Sequence, residues 1–454
     1  MPGGILQLAA SASQDQYVTG SPEMSYFKAV YKKHTNFAME SIKQTFLSRP
    51  FLSSSTSTVT CRIGRNADLL GEIYFVCDLP AIYSDNDARF RWVKNVGQYM
   101  IYSYSIRLDT QLIDQGYGEW MDVWNELTAA QNKKEVYNSM IGNNDEMINP
   151  IANLPRVVVK NNTFTYEFYP VATPDTPSIK QQRIVVPLPF WFTKNPSLAL
   201  PLVALQYQFI EISLEMRPIE DLYQVYDSIN QVYVSPSRYQ QIFPSRTGVG
   251  IGRFLTYNGD SGSVPIDING FLECNFYFLD NTERRTISSQ QIDLLVERVY
   301  RTEIGNTATN NVIDMYISNP VKEFVWFARP DDIKNTNEWT KFVYQNNPIM
   351  NTAKIMWNGL DRIEEKDEYY YNKIQTYQHH SNSVRDGLYC YCFSLFPEKW
   401  QPSGSFNASA VNRIQLYTTV NTAATGVGYV FTVYTLYYNV FRVIGGNGGM
   451  VFAN

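Results

Sequence analysis

Residues able to ligate a metal or do acid, base or nucleophilic work are few in this chain. It has only three histidines, His34, His379 and His380, and none stands in an HExxH, CxxC or nucleophile-elbow arrangement. Cys390 and Cys392 lie two apart in YCYCFSL, so on a strand both thiols share one face while Tyr389, Tyr391 and Phe393 share the other. They read as core thiols, because a metal pair would need two more ligands. Asp361, Glu364, Glu365, Asp367 and Glu368 form an acidic cluster that suggests Ca²⁺ or paired carboxylates, but it lacks EF-hand spacing and reads as a solvated loop. The GVGIG run from Gly248 to Gly252 has neither GxGxxG spacing nor a helical pattern after it, and reads as a flexible loop. Asn161 and Asn407 occupy N-x-[ST] sequons, expected to stay unmodified in a cytosolic protein. No catalytic residue, metal ligand or cofactor is assigned on this reading, and an enzyme is not expected.

Chemistry being sparse, the elements themselves carry the information. At 454 residues the chain is too long for one ordinary core and suits two or more domains. Its 33 tyrosines, 25 phenylalanines and 22 prolines favour many short strands. A net charge of -5 without a block of Lys or Arg leaves no cationic face for phosphate backbones, so direct nucleic-acid binding is not expected. Five cysteines, an odd number, with no recognisable signal peptide fit free thiols in a reducing compartment. The most apolar long segment, Val427 to Ile444, contains Thr432, Thr435, Asn439 and Arg442 and is rich in β-branched and aromatic residues; it reads as a strand buried on both faces.

The chain is organised around PLPFWFTKNPSLALPLVALQYQF, Pro187 to Phe209. Pro187, Pro189, Pro196 and Pro201 forbid a long helix and predict a rigid, buried corner around Trp191. From Leu205 the pattern alternates, predicting a strand with a bulge near Ile210. Upstream, Glu40–Leu47, Thr56–Ile63 and Glu72–Leu79 read as strands, and Tyr102, Tyr104, Ile106 and Leu108 alternate with polar partners. Trp120, Trp124 and Leu127 recur on one helical face in the best helix candidate. Strands at Thr163–Tyr169 and Arg183–Val186 lead back to the corner. Beyond Met216, strands are predicted at Phe271–Leu279, Gln291–Tyr300, Val321–Phe327, Leu388–Phe396, Arg413–Tyr417 and Tyr429–Val443, joined by long polar loops. Strands with few helices and no βαβ rhythm predict antiparallel sandwiches.

The corner resembles a motif of the major capsid proteins of nucleocytoplasmic large DNA viruses, in which PLPFWF, a short polar turn and LALPLIAL-like sequence follow in this order. Gly3 to Ala9, Gln14 to Pro22 and Tyr26 to Ala38 resemble the opening of the same proteins. Further motifs stand at Phe278–Arg285, at Asn319–Phe327 (with Pro320 and Trp326) and at Phe393–Val411 (with Pro402 and Gly404). Two positions depart from the family: Arg107, Leu108 and Asp109 replace a paired-glycine motif, and Asn319 stands where a histidine is frequent.

The resemblance implies a mainly β protein of two consecutive antiparallel eight-stranded jelly rolls, with a few short helices and an extended N-terminal arm. The expected divisions are an arm over 1–26, a first jelly roll over 27–216 and a second over 217–454. It implies a major capsid protein whose homotrimers form pseudo-hexameric capsomers of an icosahedral virion shell, assembled in the host cytoplasm. The arm, through Gly3, Gly4, Leu6, Gln14, Asp15, Tyr17, Gly20 and Pro22, would meet minor capsid proteins or an internal membrane; Lys32 and Lys33 beside His34 could face phosphate headgroups. The alternatives are a minor or vertex subunit of the same fold, and a carbohydrate-binding or carbohydrate-cleaving β-sandwich.

Overall fold

The computed structural model describes all residues except 1–2, 85–87, 151–156, 159–164, 167–171, 173, 245–249, 258–264, 307, 422–423, 425 and 453–454. The chain separates into two compact units, Met1–Phe37 and Ala38–Asn454. The first carries helices α1 (Gly3–Ala9) and α2 (Gln16–Thr19), neither with a buried residue. The segment expected to be an extended arm therefore contains two short helical pieces; isolated helices this short have little intrinsic stability.

The larger unit is built from sixteen principal strands, eight in each of two sandwiches. The first eight are β1 (Phe37–Gln44), β2 (Ser57–Arg62), β3 (Leu69–Leu79), β4 (Ile101–Leu108), β5 (Gln111–Tyr117), β6 (Gln182–Pro187), β7 (Ile210–Met216) and β8 (Phe271–Leu279). They form one sheet in the order β1-β8-β3-β6 and another in the order β2-β7-β4-β5, antiparallel at β8–β3, β3–β6 and throughout the second sheet. The second eight are β9 (Ile292–Asn306), β10 (Asn310–Met315), β11 (Pro320–Pro330), β12 (Met350–Trp357), β13 (Leu360–Asp367), β14 (Leu388–Cys392), β15 (Ile414–Val420) and β16 (Tyr429–Ile444). Their sheets repeat the order, β9-β16-β11-β14 and β10-β15-β12-β13. The same interleaving of near and distant strands occurs twice, which is jelly-roll topology.

Several sequence readings need correction. Strand β8, placed beyond a junction at residue 217, hydrogen-bonds to β3 inside the first sandwich, so a junction at 217 cuts through that sandwich. The first eight strands end at Leu279, and α5 (Asn281–Ser289) follows before β9 begins. The strand after the corner starts at Ile210 and not at Leu205, because Leu205 N–H bonds back to Pro201 O in a turn. Leu205 is buried, while Tyr207 and Phe209 are exposed. Strands β10, β12 and β13 form where polar loops were expected, and β13 takes up most of the acidic cluster. Its exposed, charged side chains erase the alternation that marks a half-buried strand, and as an edge strand they discourage pairing with another chain. The hairpin joining β4 to β5 turns without the paired glycines: Asp109 takes the left-handed conformation (φ 51) and its carboxylate accepts from Phe209 N–H at 2.8 Å. Helices α3 (Gly118–Thr128) and α4 (Gln131–Met140) occupy the predicted helical stretch. Of the predicted strand Thr163–Tyr169, Thr165–Tyr166 is described and pairs with Val157–Val158.

Strand β16 is buried along almost its whole length, as the apolar segment predicts. Tyr429, Phe431 and Val433 point into the core of the second sandwich, with Phe324 and Trp326 of β11. Tyr434 and Leu436 face the other way, against Trp120, Val123 and Leu127 of α3. Further along, Phe441 and Val443 join the core of the first sandwich. One sheet of the second sandwich is thus covered on its outer face by the first sandwich and its helix, and no helix among the described residues is long and apolar enough to cross a membrane.

Candidate functional site

The proline corner sits where the sandwiches meet. Strand β6 is an edge strand and can end in Pro187, whose missing N–H costs no ladder bond there. Leu188 N–H bonds to Ile73 O (2.9 Å), Trp191–Thr193 forms a single 3₁₀ turn, and Asn195 Oδ1 accepts from Ser197 N–H (3.0 Å) to start another at Pro196. Leu200 and Pro201 then pair with Leu70 and Leu69 of β3. Phe190 and Phe192 stack at 5.4 Å, and Trp191, 1% exposed, lies 5.2 Å from the Phe441 ring of β16. Beneath it, Asp114 accepts from Trp191 N–H (3.4 Å) and faces Arg298 of β9 at 3.7 Å. Burial pushes the Asp114 carboxyl up to about 6, against the pull of Arg298. The corner is therefore a piece of the inter-sandwich junction.

A second set of junction contacts is ionic. Glu119 of α3 pairs with Arg329 of β11 and accepts from the Tyr434 hydroxyl at 3.0 Å. Burial raises the Glu119 carboxyl, but Arg329, Arg217 and Tyr434 overcome this and hold it below the usual carboxylate range. Asp122 accepts from Asn95 Nδ2 (2.7 Å), the Tyr99 hydroxyl (2.8 Å) and Arg385 (2.7 Å), while Arg385 also grips Glu126. Trp339 Nε1 donates to Asp221 O (2.7 Å), and Asn337 Nδ2 donates to Glu220 O and Tyr223 O. The contacts of Glu119 with Arg329 and Tyr434, of Arg385 with Asp122 and Glu126, and of Trp339 and Asn337 with residues 220–223 link one sandwich to the other, while Asn95 and Tyr99 brace Asp122 from within the first. These residues escaped the sequence reading, although a signal was present: Lys322, Glu323 and Arg329 interrupt a run of β11 that is otherwise apolar, and Glu119 and Asp122 flank Trp120.

The other expected residues are dispersed. Pro320 opens β11 opposite Asn407, and Trp326 is fully buried with Nε1 3.3 Å from Met350 Sδ. Pro402 and Gly404 lie on an exposed loop; Gly404 has φ 133, and a Cβ there would come 2.9 Å from Phe393 O. Asn407 is exposed, its side chain accepting from Ser409; Asn161, Gly248 and Val249 lie outside the described residues. The arm residues Leu6 and Tyr17 are exposed, and Asp15 caps Ala12 N–H at 2.8 Å. His34 is exposed in the arm, its Nδ1 2.8 Å from Thr35 O and its ring beside Phe37, whereas His380 packs against Glu323, Glu398 and Cys392. A cleft beside this group is lined by Trp124, Lys194, Glu297, Glu398 and Trp400. Both of its glutamates are engaged, Glu297 by Lys322 and Lys194 and Glu398 by His380 and Ser381. Burial would raise Glu398, but those donors hold it below its ordinary value, the opposite of the raised carboxyl that a glycosidase uses as general acid.

Two jelly rolls in series, locked together by a buried aromatic corner and buried ion pairs, define a double jelly-roll protein. Known proteins agree. The family model described as "Major capsid protein N-terminus" matches residues 25–247, and that described as "Large eukaryotic DNA virus major capsid protein" matches residues 283–449. The major capsid protein of Pyramimonas orientalis virus is 29% identical over 477 aligned residues, and that of Phaeocystis pouchetii virus 27% over 551, each covering 100% of both chains. Among solved structures, PBCV-1 VP54, fitted into a reconstruction of the virophage Sputnik, superposes with a TM-score of 0.71 at 22% identity, covering 95% of this chain and 100% of that one. The chain belongs to the major capsid protein family of large eukaryotic DNA viruses.

Proposed function

We propose that the protein builds its shell as a homotrimer, three chains giving a capsomer of pseudo-hexagonal outline that tiles with its neighbours. The observation that carries this reading is the repeated strand order in two sandwiches held by a buried junction. A rigid pair of equivalent blocks supplies two corners of a hexagon, and a three-fold axis supplies the remaining four. Native mass spectrometry of the 52.3 kDa chain is expected to return a trimer across concentration and salt; monomer alone would overturn the proposal. A minor or vertex subunit of the same fold differs in copy number, so dominance of the virion protein by mass separates the two. The role needs no catalysis, and the engaged carboxylates of the cleft support a non-enzymatic reading over carbohydrate cleavage. Assembly in a reducing host cytoplasm accords with five cysteines that form no disulfide. The domain division that fits this reading places the first jelly roll through Leu279 and the second from Ile292.

The N-terminal unit would act in assembly, meeting a minor capsid protein, a neighbouring capsomer or a membrane surface. Its described residues bury no apolar side chain, so they contribute little to folding and gain order chiefly from a partner. Removal of Met1 to Pro22 is expected to leave trimers with a near-normal melting temperature that fail to form regular shells under electron microscopy. Failure to trimerise would make the segment part of the core; normal shells would make it dispensable.

A further inference from the structure

We propose that the second sandwich holds one transition-metal ion of the Zn²⁺ kind through His380 Nε2, Cys390 Sγ, Cys392 Sγ and Glu323 Oε2. Two thiols two residues apart on one strand leave a metal short of ligands, and the fold brings the missing pair. Register sets Glu323 of β11 directly opposite Cys392 of β14, on the same face as Cys390. Helix α6 (Gln375–His379) delivers His380 onto that face. The donor atoms of His380, Cys390 and Cys392 are buried and lie within 4.8 Å of one another. Glu323 Oε2 is 3.1 Å from His380 Nε2 and 3.3 Å from Cys392 Sγ, and the latter two atoms are 3.8 Å apart. Ligands around tetrahedral zinc, at bond lengths of about 2.0–2.3 Å, stand about 3.3–3.8 Å from each other. The spacing among Glu323, His380 and Cys392 is already that of a ligand shell, and Cys390 Sγ, within 4.8 Å of the His380 and Cys392 donor atoms, would draw in on binding to complete it.

Two further observations point to an ion. His380 Nδ1 lies 3.3 Å from Glu398 Oε1, so a carboxylate orients the ring and turns Nε2 toward the other three donors, the usual outer support of a metal-bound imidazole. Glu323 is 0% exposed, and its Oε1 has no hydrogen-bond partner among the described residues. Two sulfurs with an imidazole select zinc over magnesium or calcium, which prefer all-oxygen shells. Binding displaces the protons of both thiols and leaves Nε2 unprotonated as a ligand, with Nδ1–H donating to Glu398; no redox change is involved. The ion would pin β11, β14 and the end of α6 together beside the junction helix.

Metal analysis of the full-length protein purified without chelator is expected to find one zinc per chain. Cobalt exchanged into the same protein should give a thiolate-to-metal charge-transfer band with tetrahedral ligand-field absorption. Cys392→Ser and Cys390→Ser should abolish both, whereas Cys274→Ser, a buried cysteine of the first sandwich, should keep them. Glu398→Gln should weaken affinity about 10- to 100-fold, as removal of an outer hydrogen bond to a ligand does elsewhere. If the serine variants do not fold, the wild-type cobalt spectrum and a melting temperature lowered by chelator and restored by Zn²⁺ decide the matter. Wild-type protein without zinc and without a cobalt–thiolate band would overturn the proposal, as would bands that survive in the Cys390→Ser/Cys392→Ser double variant.

Discussion

Trp191→Ala is expected to destabilise the folded chain by about 3–5 kcal/mol, the range for deleting a large aromatic side chain from a core. The ring is 1% exposed and lies against Phe192 and, across the junction, against Phe441 of β16. The proline-bounded backbone on either side cannot easily collapse into the space, because Leu188, Leu200 and Pro201 are each tied to β3. The cavity therefore opens onto both sandwiches, and the loss should appear in their common urea transition and not in the first alone. Trp400→Ala supplies the control: that indole is 55% exposed, and such substitutions normally stay within about 0.5 kcal/mol. Equal urea midpoints for Trp191→Ala and the parent would show that the corner is not part of the core.

The corner was legible because proline and aromatic residues act locally: each proline removes a donor at a definite position, and only a buried turn accommodates so many large rings. Most long strands were legible for the same kind of reason, since alternation or a continuous apolar run reports the faces of one strand. What could not be read is non-local. Nothing in Phe271–Leu279 says that its partner is Leu69–Leu79, nearly two hundred residues earlier, and so the division between sandwiches was placed too soon. Strand β13 was invisible because an edge strand with solvent on most sides has no apolar face to betray it. The turn at Leu205 hid behind residues that happen to alternate.

The same distinction explains the ligand cluster and the junction. Cys390 and Cys392 are conspicuous in sequence, but His380 and Glu323 join them only through the packing of α6 on β14 and the pairing of β14 with β11. Charged residues inside apolar segments are the one local trace of such contacts. A lone Arg329 near the end of VKEFVWFARP must either reach solvent or find a carboxylate, since leaving its charge unpaired would be costly. It finds Glu119, on a helix of the other half.

That pair provides the second large effect. Arg329→Met is expected to cost about 3–5 kcal/mol, because the Glu119 carboxylate stays buried, 3% exposed in its side chain, with its direct ion-pair partner gone. Glu119→Gln should cost less: the amide oxygen still accepts from the Tyr434 hydroxyl, and Arg329 retains Trp339 O at 3.1 Å. The double variant should recover much of the loss of Arg329→Met, since the stranded charge is then removed. The pH dependence has a definite sign. The folded pKa of Glu119 is lowered, so its contribution is complete above the unfolded value of about 4.3 and is lost as pH falls through the folded value. Below about pH 4 the parent should therefore lose stability faster than Glu119→Gln. Urea titrations of the four proteins across this range would measure both effects. A double variant no more stable than Arg329→Met would mean that the arginine holds the sandwiches through its packing and its backbone contact, and that the carboxylate opposite it contributes nothing to their union.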